Sequence, residues 1–351
     1  MTTPTLQPQA ALGGAGQLPK HISWYVLAGG LALSFVVLLV FAEPTPASVI
    51  ILGGAIYVAA IWISSRIVEG ARRATDRLAT AVVTSAFALA MIPVVSLLVT
   101  VVDRGRTMMS WEFLTTDMTG IFGDMRGGGA WHAIVGTFWV TALASVFSIP
   151  LGIFTAIYLV EYGRGRLARA ITVLVDVMTG IPSIVAGLFA LVLFNTLMDP
   201  AYRSALMGGV ALAVLMTPVV VRSCEEMLRL VPNELREAAY ALGVPKWLAI
   251  VKVVLRTAIA GITTGVMISI ARVVGETAPL LLTMGIITST NLNAFDGRMA
   301  TLPVFAYSSF RQGGVYLERA WAAALVLIAI VMVLNIIARL VSRYFAPKGM
   351  T

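Results

Sequence analysis

The chain has 351 residues, of which 59% are hydrophobic and 12% are charged, and its mean hydropathy is +0.91. A soluble domain of this length is far less apolar, so the composition predicts a polytopic membrane protein. The formal net charge is +8, but the basic residues do not cluster with aromatic residues on a soluble face, which argues against nucleic-acid binding. The single cysteine, Cys224, excludes an internal disulfide, and the two histidines lie too far apart in sequence to indicate a metal site.

Residues 1–23 are interpreted as a flexible cytoplasmic tail without a removable signal peptide, because no small-residue cleavage site follows the first apolar run. Two apolar runs, 24–42 and 47–63, are separated by Glu43-Pro44-Thr45-Pro46, whose prolines cannot continue a helix. We therefore predict a transmembrane hairpin followed by a basic loop, which together occupy residues 24–77.

Six further apolar runs are each close to the length of a membrane-spanning helix. With the hairpin they predict an all-α protein of about eight transmembrane helices. The connection at 103–131 is expected to include a short interfacial helix around residues 111–113. The six runs are 78–102, 133–160, 170–197, 206–221, 258–287 and 320–341.

Two ionisable residues interrupt the seventh of these eight spans, in Arg272-Val273-Val274-Gly275-Glu276-Thr277-Ala278-Pro279. A charge near the hydrocarbon centre costs at least about 2.5 kcal/mol, so such residues normally face a bundle interior, a partner or an aqueous path. The spacing of four predicts Arg272 and Glu276 on one helix face, and Pro279 predicts a bend at Gly275. Either the two residues contact a substrate, or they neutralise each other and pack the helix against a neighbour.

Mid-span prolines and hydroxyl groups are further candidates for a transport path. Each proline frees a backbone carbonyl, which favours a hinge at that position. A hydroxyl inside a helix commonly bonds its own backbone, so a role in transport is one of two readings for each. Asp176, within the fifth span, either reaches the surface near Arg169 or pairs inside the bundle. The proposed hinges are Pro182, Pro218, Gly275 and Pro279, and the hydroxyl candidates are Ser183, Thr217 and Thr277.

The connection at 222–256 is too long to be only a turn. A cap at Pro232-Asn233 and acidic residues next to it predict a short helix that ends at Gly243, and a second helix from Lys246 leads back to the membrane. Two short helices at the membrane surface are well suited to bind a soluble partner.

This connection resembles the EAA loop of ABC importer permeases, through Glu237-Ala238-Ala239, Gly243 after three further residues, and the aliphatic residues Val253 and Leu255. The family usually has proline where this chain has Arg256. The resemblance implies that Glu237, Ala238, Ala239 and Gly243 couple the chain to a cytoplasmic ATPase. The chain has no phosphate-binding loop of the G-x-x-x-x-G-K-[ST] type, so it is not expected to be an enzyme or to bind a cofactor, and ATP and Mg²⁺ would be bound by the partner.

Three other stretches resemble the PstA-type permeases of phosphate-specific ABC importers: Gly180 to Phe189, Thr217 to Arg222 with Glu225-Glu226, and Arg272 to Pro279. The similarity covers residues 78–351 and leaves the hairpin outside. It implies a type I ABC importer permease fold in the bacterial cytoplasmic (inner) membrane, with both termini cytoplasmic. The implied partners are a PstC-like second permease, two PstB-like ATPase subunits and a PstS-like extracytoplasmic phosphate-binding protein.

Phosphate near neutral pH is negatively charged and still carries hydrogen, so Arg272 as donor and Glu276 as acceptor would suit it. Sulfate or molybdate, which carry no proton, would be repelled by Glu276. Three alternatives stay open: a permease for such another oxyanion, a secondary transporter or channel that needs no ATPase, and a membrane signalling scaffold.

The distribution of basic residues predicts the orientation in the membrane. Of the 25 lysines and arginines, 17 lie on the side assigned to the cytoplasm, seven on the other side, and Arg272 within a span. Short loops rich in positive charge stay on the cytoplasmic side.

Reporter fusions check this orientation. Reporters placed after Arg73, within residues 164–169 and at the C-terminus should all give cytoplasmic signals, because they lie on the side that holds 17 of the 25 basic residues. A reporter within residues 288–319 should give an external signal, and a cytoplasmic signal there would contradict the topology.

Overall fold

The structure is a computed structural model that describes residues 18, 19, 21–123 and 125–345. Most of the tail expected at 1–23, and Lys348 in the basic C-terminal segment, lie outside the described residues. All regular elements in the described part are helices. Seven of them are long and apolar enough to span a membrane, and a bent pair makes an eighth. The prediction of an all-α protein with about eight spans is confirmed.

The chain divides into two compact units between Leu98 and Val99. The first unit contains α1 (Ile22–Phe41), α2 (Pro46–Val68) and most of α3 (Ala71–Gly105). The sequence instead suggested a boundary at residue 78, but α3 begins earlier and runs without a break through that position.

The predicted hairpin is formed by α1 and α2, which pack closely at two glycines. A Cβ atom on Gly30 would lie 3.0 Å from the carbonyl oxygen of Gly53, so the two helices meet backbone to backbone. The Ser34 hydroxyl donates to the carbonyl of Val49 across the same contact. At the start of α2, the Thr45 hydroxyl accepts a hydrogen bond from the backbone N–H of Ser48, which caps the helix.

The connection between α2 and α3 is much shorter than the basic loop predicted from the sequence. Only Glu69 and Gly70 lie outside the helices, and Gly70 has φ of +88°, a left-handed conformation that glycine adopts at little cost. The arginines counted as loop residues are therefore helical, since charged side chains at a helix end reach water without unwinding the backbone.

Glu69 holds this connection together through its buried carboxylate. Its oxygens accept hydrogen bonds from Arg77 (2.6 Å from Nε), from the Ser65 hydroxyl (2.8 Å) and from the backbone N–H of Leu18 (2.9 Å). The hydrogen bond from Arg77, opposed by burial and helped by Leu18 and Ser65, lowers the pKa of Glu69 from 4.5 to about 2.

The second unit contains the remaining helices and two π-helical turns. The helices are α4 (Trp111–Thr115), α5 (Trp131–Ile157), α6 (Gly165–Thr179), α7 (Ser183–Leu197), α8 (Ala205–Arg229), α9 (Asn233–Ala241), α10 (Lys246–Ala249), α11 (Leu255–Val274), α12 (Ala278–Thr283), α13 (Leu302–Gln312) and α14 (Val315–Phe345). The π-helical turn Tyr158–Tyr162 continues α5, and the π-helical turn Ile250–Val254 joins α10 to α11.

The centre of the second unit is the contact between α5 and α8. Gly152 of α5 faces Val220 of α8, where an added Cβ atom would lie 2.5 Å from the valine side chain. The Ser148 hydroxyl of α5 donates to the carbonyl of Ala213 of α8, 3.2 Å away. Small residues thus bring the helices close enough for van der Waals packing. Such packing holds membrane helices together, because lipid tails are as apolar as the side chains and the hydrophobic effect does not drive the helices to associate.

The second unit has two ends. One of them, here the loop end, contains residues 103–123, 125–131, 198–204 and 285–314. At the loop end, the Asp117 carboxylate accepts hydrogen bonds from the backbone N–H and the hydroxyl of Thr290, each 2.9 Å away. Burial acts to raise the pKa of Asp117, but hydrogen bonds from Thr119 and Thr290 outweigh it and hold the pKa at about 2. The opposite end, here the basic end (residues 158–165 and 229–246), contains α9.

Three predicted elements differ from the structure. The fifth span is broken at Gly180-Ile181-Pro182, where α6 and α7 meet at 107°, because proline disfavours helix at the residue before it. The seventh span stops at Val274 rather than near residue 287. The eighth begins at Val315 and follows an additional helix, α13, in the segment expected to be an external loop; Arg319 is consequently a buried helical residue.

The Glu69 contacts predict an acid-sensitive connection between α2 and α3. Because the folded-state pKa lies below the ordinary value of 4.5, the carboxylate stabilises the fold above that pH, and this contribution is lost as the pH falls toward about 2. The protection of the backbone amides of residues 65–77 against hydrogen exchange, measured in detergent relative to the intrinsic exchange rate at each pH, should therefore fall between pH 4.5 and pH 2. Glu69→Gln should remove this pH dependence, and an equal fall in both proteins would contradict the assignment.

Candidate functional site

Two helix breaks meet inside the second unit. The half-helix α7 begins after the break at 180–182, and the short helix α12 begins after the break at 275–277. The two half-helices pack side by side: a Cβ atom on Gly187 would lie 2.7 Å from the Cα atom of Pro279. Ser183, in the first turn of α7, and Thr277, just before α12, therefore lie near the starts of two neighbouring helices.

Arg272 and Glu276 do not share a helix face, so that prediction is wrong. Arg272 is exposed in the last turn of α11, whereas Glu276 lies in the break, with its backbone N–H bonded to the carbonyl of Val273 at 3.2 Å. The predicted bend at Gly275 is confirmed, and it is this bend that removes Glu276 from the helical register. Pro279 explains it, because proline has no N–H for the carbonyl of Gly275.

The guanidinium of Arg272 has no carboxylate within 4.0 Å among the described residues. Glu276 is half-buried and likewise makes no ion pair with a described residue. Arg272 and Glu276 therefore do not form an ion pair with each other in this structure. Arg272 presents a planar donor group at the end of an apolar helix, where an anion or a partner chain can reach it.

The hydroxyl and hinge candidates fall into two groups. Thr217 is buried and its hydroxyl donates to the carbonyl of Ala213 at 2.8 Å, so its proton is already used by its own helix. Ser183 and Thr277 are half-buried and make no side-chain hydrogen bond to a described residue. Pro182 and Pro279 lie at the helix breaks, whereas Pro218 lies inside the unbroken helix α8.

A cluster of four charged residues, here the α8 charge cluster, was not recognised in the sequence. Arg222 bonds Asp176 of α6 and also Glu225, at 2.7 Å, and Glu225 in turn bonds Arg229 at 2.7 Å. Asp176 therefore pairs with α8, as one of its two predicted environments had it, but its side chain is 60% exposed and does not lie inside the bundle. The spacing of Arg222, Glu225 and Arg229 by three and four residues would have revealed the cluster, but those residues were assigned to a loop.

The predicted coupling helix is present at the basic end as α9, followed by a turn at Gly243. Gly243 has φ of +74° and open space around its Cα, and Ala239 is buried while Glu237 and Ala238 are exposed. The left-handed glycine terminates the helix as the sequence predicted. The large apolar side chains Leu242 and Trp247 are exposed beside it, a composition typical of a protein-binding surface.

These features define a polytopic helical membrane protein with broken spans in its core and an exposed amphipathic helical pair at one end. Residues 148–349 match the family described as binding-protein-dependent transport system inner membrane component. The chain belongs to this family, and within it to the PstA-type permeases, as two of its relatives show.

The chain is 46% identical over 282 residues to the phosphate transport system permease protein PstA 1 of Mycobacterium tuberculosis, and the aligned region covers 79% of this chain and 91% of that protein. It is 38% identical over 297 residues to the phosphate transport system permease protein PstA of Yersinia pestis, and that alignment covers 83% of this chain and 96% of the relative. Both alignments include most of the second unit. The family predicted from the sequence motifs is confirmed.

Solved structures show the same fold at lower sequence identity. A bacterial alginate ABC transporter, solved with an alginate pentasaccharide-bound periplasmic protein, has a chain that matches with a TM-score of 0.54 and 15% identity, over 81% of this chain and 100% of that chain. The inward-facing MetNI methionine ABC transporter matches with a TM-score of 0.50 and 19% identity, over 62% of this chain and 95% of that chain. The fold is that of ABC transporter permeases.

The contact between α7 and α12 predicts a specific cost for a small substitution. Gly187→Ala should lower the stability by about 1–3 kcal/mol, since the added methyl group would meet the backbone of Pro279. Gly180→Ala is the matched control, because its Cβ atom would meet only the Val177 carbonyl oxygen at 3.5 Å. Thermal unfolding in detergent can be followed by labelling the single, buried Cys224. Equal midpoints for the two variants would contradict the close contact.

Proposed function

We propose that this chain is the permease subunit of an ATP-driven importer that moves inorganic phosphate from a binding protein into the cytoplasm. The observation that carries the proposal is Arg272, an arginine in a membrane helix whose fork has no carboxylate partner among the described residues. A charge in that position is costly unless it has a function. The names of the relatives, which are phosphate transport permeases, support phosphate as the substrate.

The chemistry of the helix break supports an oxyanion that carries hydrogen. Arg272 offers a planar donor for two phosphate oxygens. Glu276, in the break between α11 and α12, offers an acceptor for a P–OH group. Because Glu276 has no cation partner among the described residues, its carboxylate would repel a fully deprotonated anion such as sulfate or molybdate. Ser183 and Thr277 supply further hydroxyl donors along the same path, whereas the Thr217 proton is committed to its helix.

The family description and a structural neighbour solved with a periplasmic protein support the partners that the sequence motifs imply. The proposed assembly contains a PstC-like second permease, two PstB-like ATPase subunits that bind ATP and Mg²⁺, and a PstS-like phosphate-binding protein on the outer face. Glu237, Ala238, Ala239 and Gly243 form the surface that contacts the ATPase, with the basic end and both termini in the cytoplasm. Substrate crosses between the two permeases, and the breaks at Pro182, Gly275 and Pro279, together with Pro218 inside α8, act as hinges.

Substitutions of Arg272 test the proposed substrate contact. Arg272→Lys keeps the charge but loses the fork, and loss of one charge-assisted hydrogen bond, worth about 1.5 kcal/mol, should lower phosphate uptake about ten-fold. Arg272→Gln should be nearly inactive, and Arg272→Gln combined with Glu276→Gln should remain inactive. Uptake is measured in cells that lack other phosphate importers, with membrane abundance checked.

Three outcomes decide between the readings. Arg256→Gln is the control on the same helix, since Arg256 is exposed near the basic end and should leave uptake normal. Restored uptake in the double variant would mean that Arg272 serves only to neutralise Glu276. Competition by excess sulfate or molybdate would favour another oxyanion permease, and uptake that persists without an ATPase partner would favour a secondary transporter or channel.

A further inference from the structure

One arginine connects the proposed ATPase-binding helix to the central helix α5. Arg236, on α9, donates from Nε (3.0 Å) and Nη2 (2.9 Å) to one carboxylate oxygen of Glu161. The same guanidinium donates to the carbonyls of Val231 (2.6 Å) and Leu228 (2.9 Å) and to the side chain of Asn233 (3.2 Å). A single side chain therefore joins α9, the end of α8 and the end of α5.

This linkage, here the Arg236–Glu161 link, is buried although it lies at the surface end of the bundle. The side chains of Arg236 and Glu161 are 13% and 5% exposed, against 65% for Arg229 in the nearby α8 charge cluster. Exposed ion pairs contribute little, whereas removal of one partner of a buried pair leaves an uncompensated charge. The link is thus one of the few polar contacts at this end that are costly to break.

The glutamate is positioned on a deformable part of the backbone. Glu161 lies in the π-helical turn Tyr158–Tyr162, and its backbone carbonyl accepts a hydrogen bond from Lys246 Nζ at the start of α10. Lys246 also lies 4.6 Å from the ring centre of Tyr162. π-helical turns are short, less regular insertions that often occur at functional sites, and this one receives contacts from both helices of the coupling loop.

Two routes therefore lead from the coupling loop into the membrane. One is covalent: residues 230–232 join α9 to α8, and α10 with the π-helical turn Ile250–Val254 leads into α11, whose last turn contains Arg272. The other is the Arg236–Glu161 link into α5, which packs along α8 through Gly152 and Val220. Without the second route, a displacement of α9 by a bound ATPase would reach α8 and α11 through the chain, and α5 would lose its ion pair with α9.

We propose that Arg236 is a positioning residue for coupling: it transmits movement of the ATPase-bound loop to α5 through Glu161. The inference rests on the proposed importer function. Arg236 does not contact the ATPase or phosphate in this scheme. Its loss should therefore leave ATP hydrolysis in place and reduce the phosphate moved per ATP.

The test uses the complete importer, reconstituted in vesicles with its ATPase and binding protein. Arg236→Met should raise the ATP hydrolysed per phosphate transported by about ten-fold, because α5 no longer follows the ATPase-bound loop and a typical coupling between two sites is lost. Arg236→Met combined with Glu161→Met removes the lone carboxylate, so it should recover abundance and ATPase association but stay uncoupled. Arg166→Met is the control, because Arg166 is exposed at the same end and makes no ion pair with a described residue.

Each outcome bears on the inference. Normal coupling in the double variant would overturn the inference, because the link would then only stabilise the fold. A parallel loss of ATPase association and transport in the single and the double variant would overturn it for the same reason. Where the methionine variants do not insert, Glu161→Gln keeps an acceptor for the fork and removes the charge; reduced coupling supports the inference and unchanged coupling refutes it. Absence of phosphate uptake by the unmodified importer would instead refute the proposed function, independently of Arg236.

Discussion

The structure depends on the requirement that backbone polar groups in a membrane be satisfied within the protein. Continuous helices meet this requirement by themselves, and the chain departs from them at 180–182 and 275–277. These breaks lie beside each other because Gly187 lets α7 reach the backbone of Pro279. Irregular backbone is tolerated at membrane depth only where protein or a water-filled path covers it, so the breaks belong to a part of the bundle that is shielded from lipid.

Several charges of the second unit form structural pairs, whereas Arg272 in α11 makes no ion pair with a described residue. Glu225 is held between Arg222 and Arg229, and Glu161 accepts from Arg236, so these charges are compensated where they lie. Arg272 differs, since no described carboxylate reaches it. A membrane helix carries such a charge only when it meets a partner or a substrate. The same comparison separates residues that hold helices together from the residue we assign to phosphate.

Much of the fold followed from local properties of the sequence. Long apolar runs predicted the spans, the prolines between residues 43 and 46 predicted the hairpin turn, and Gly243 predicted the end of α9. Apart from the local pairs of the α8 charge cluster, several missed features involve residues distant in sequence or a register change. Arg236 lies in the short helix predicted to end at Gly243, but nothing in its neighbours indicates that Glu161, 75 positions earlier, is its partner. Glu276 was placed on the face of Arg272 because helical spacing was assumed to continue past Gly275 as far as Glu276.

By itself, the sequence determined the class of protein, the number of spans, the family and the residue types available for an oxyanion, because hydropathy, proline and glycine act over a few residues. The tertiary structure alone decided that the two broken spans meet, that Asp176 pairs with Arg222, and that Arg272 is left without a described carboxylate. These depend on packing between helices: a glycine without a Cβ atom admits a neighbouring backbone, and a buried charge takes whichever partner the folded chain brings within hydrogen-bond distance.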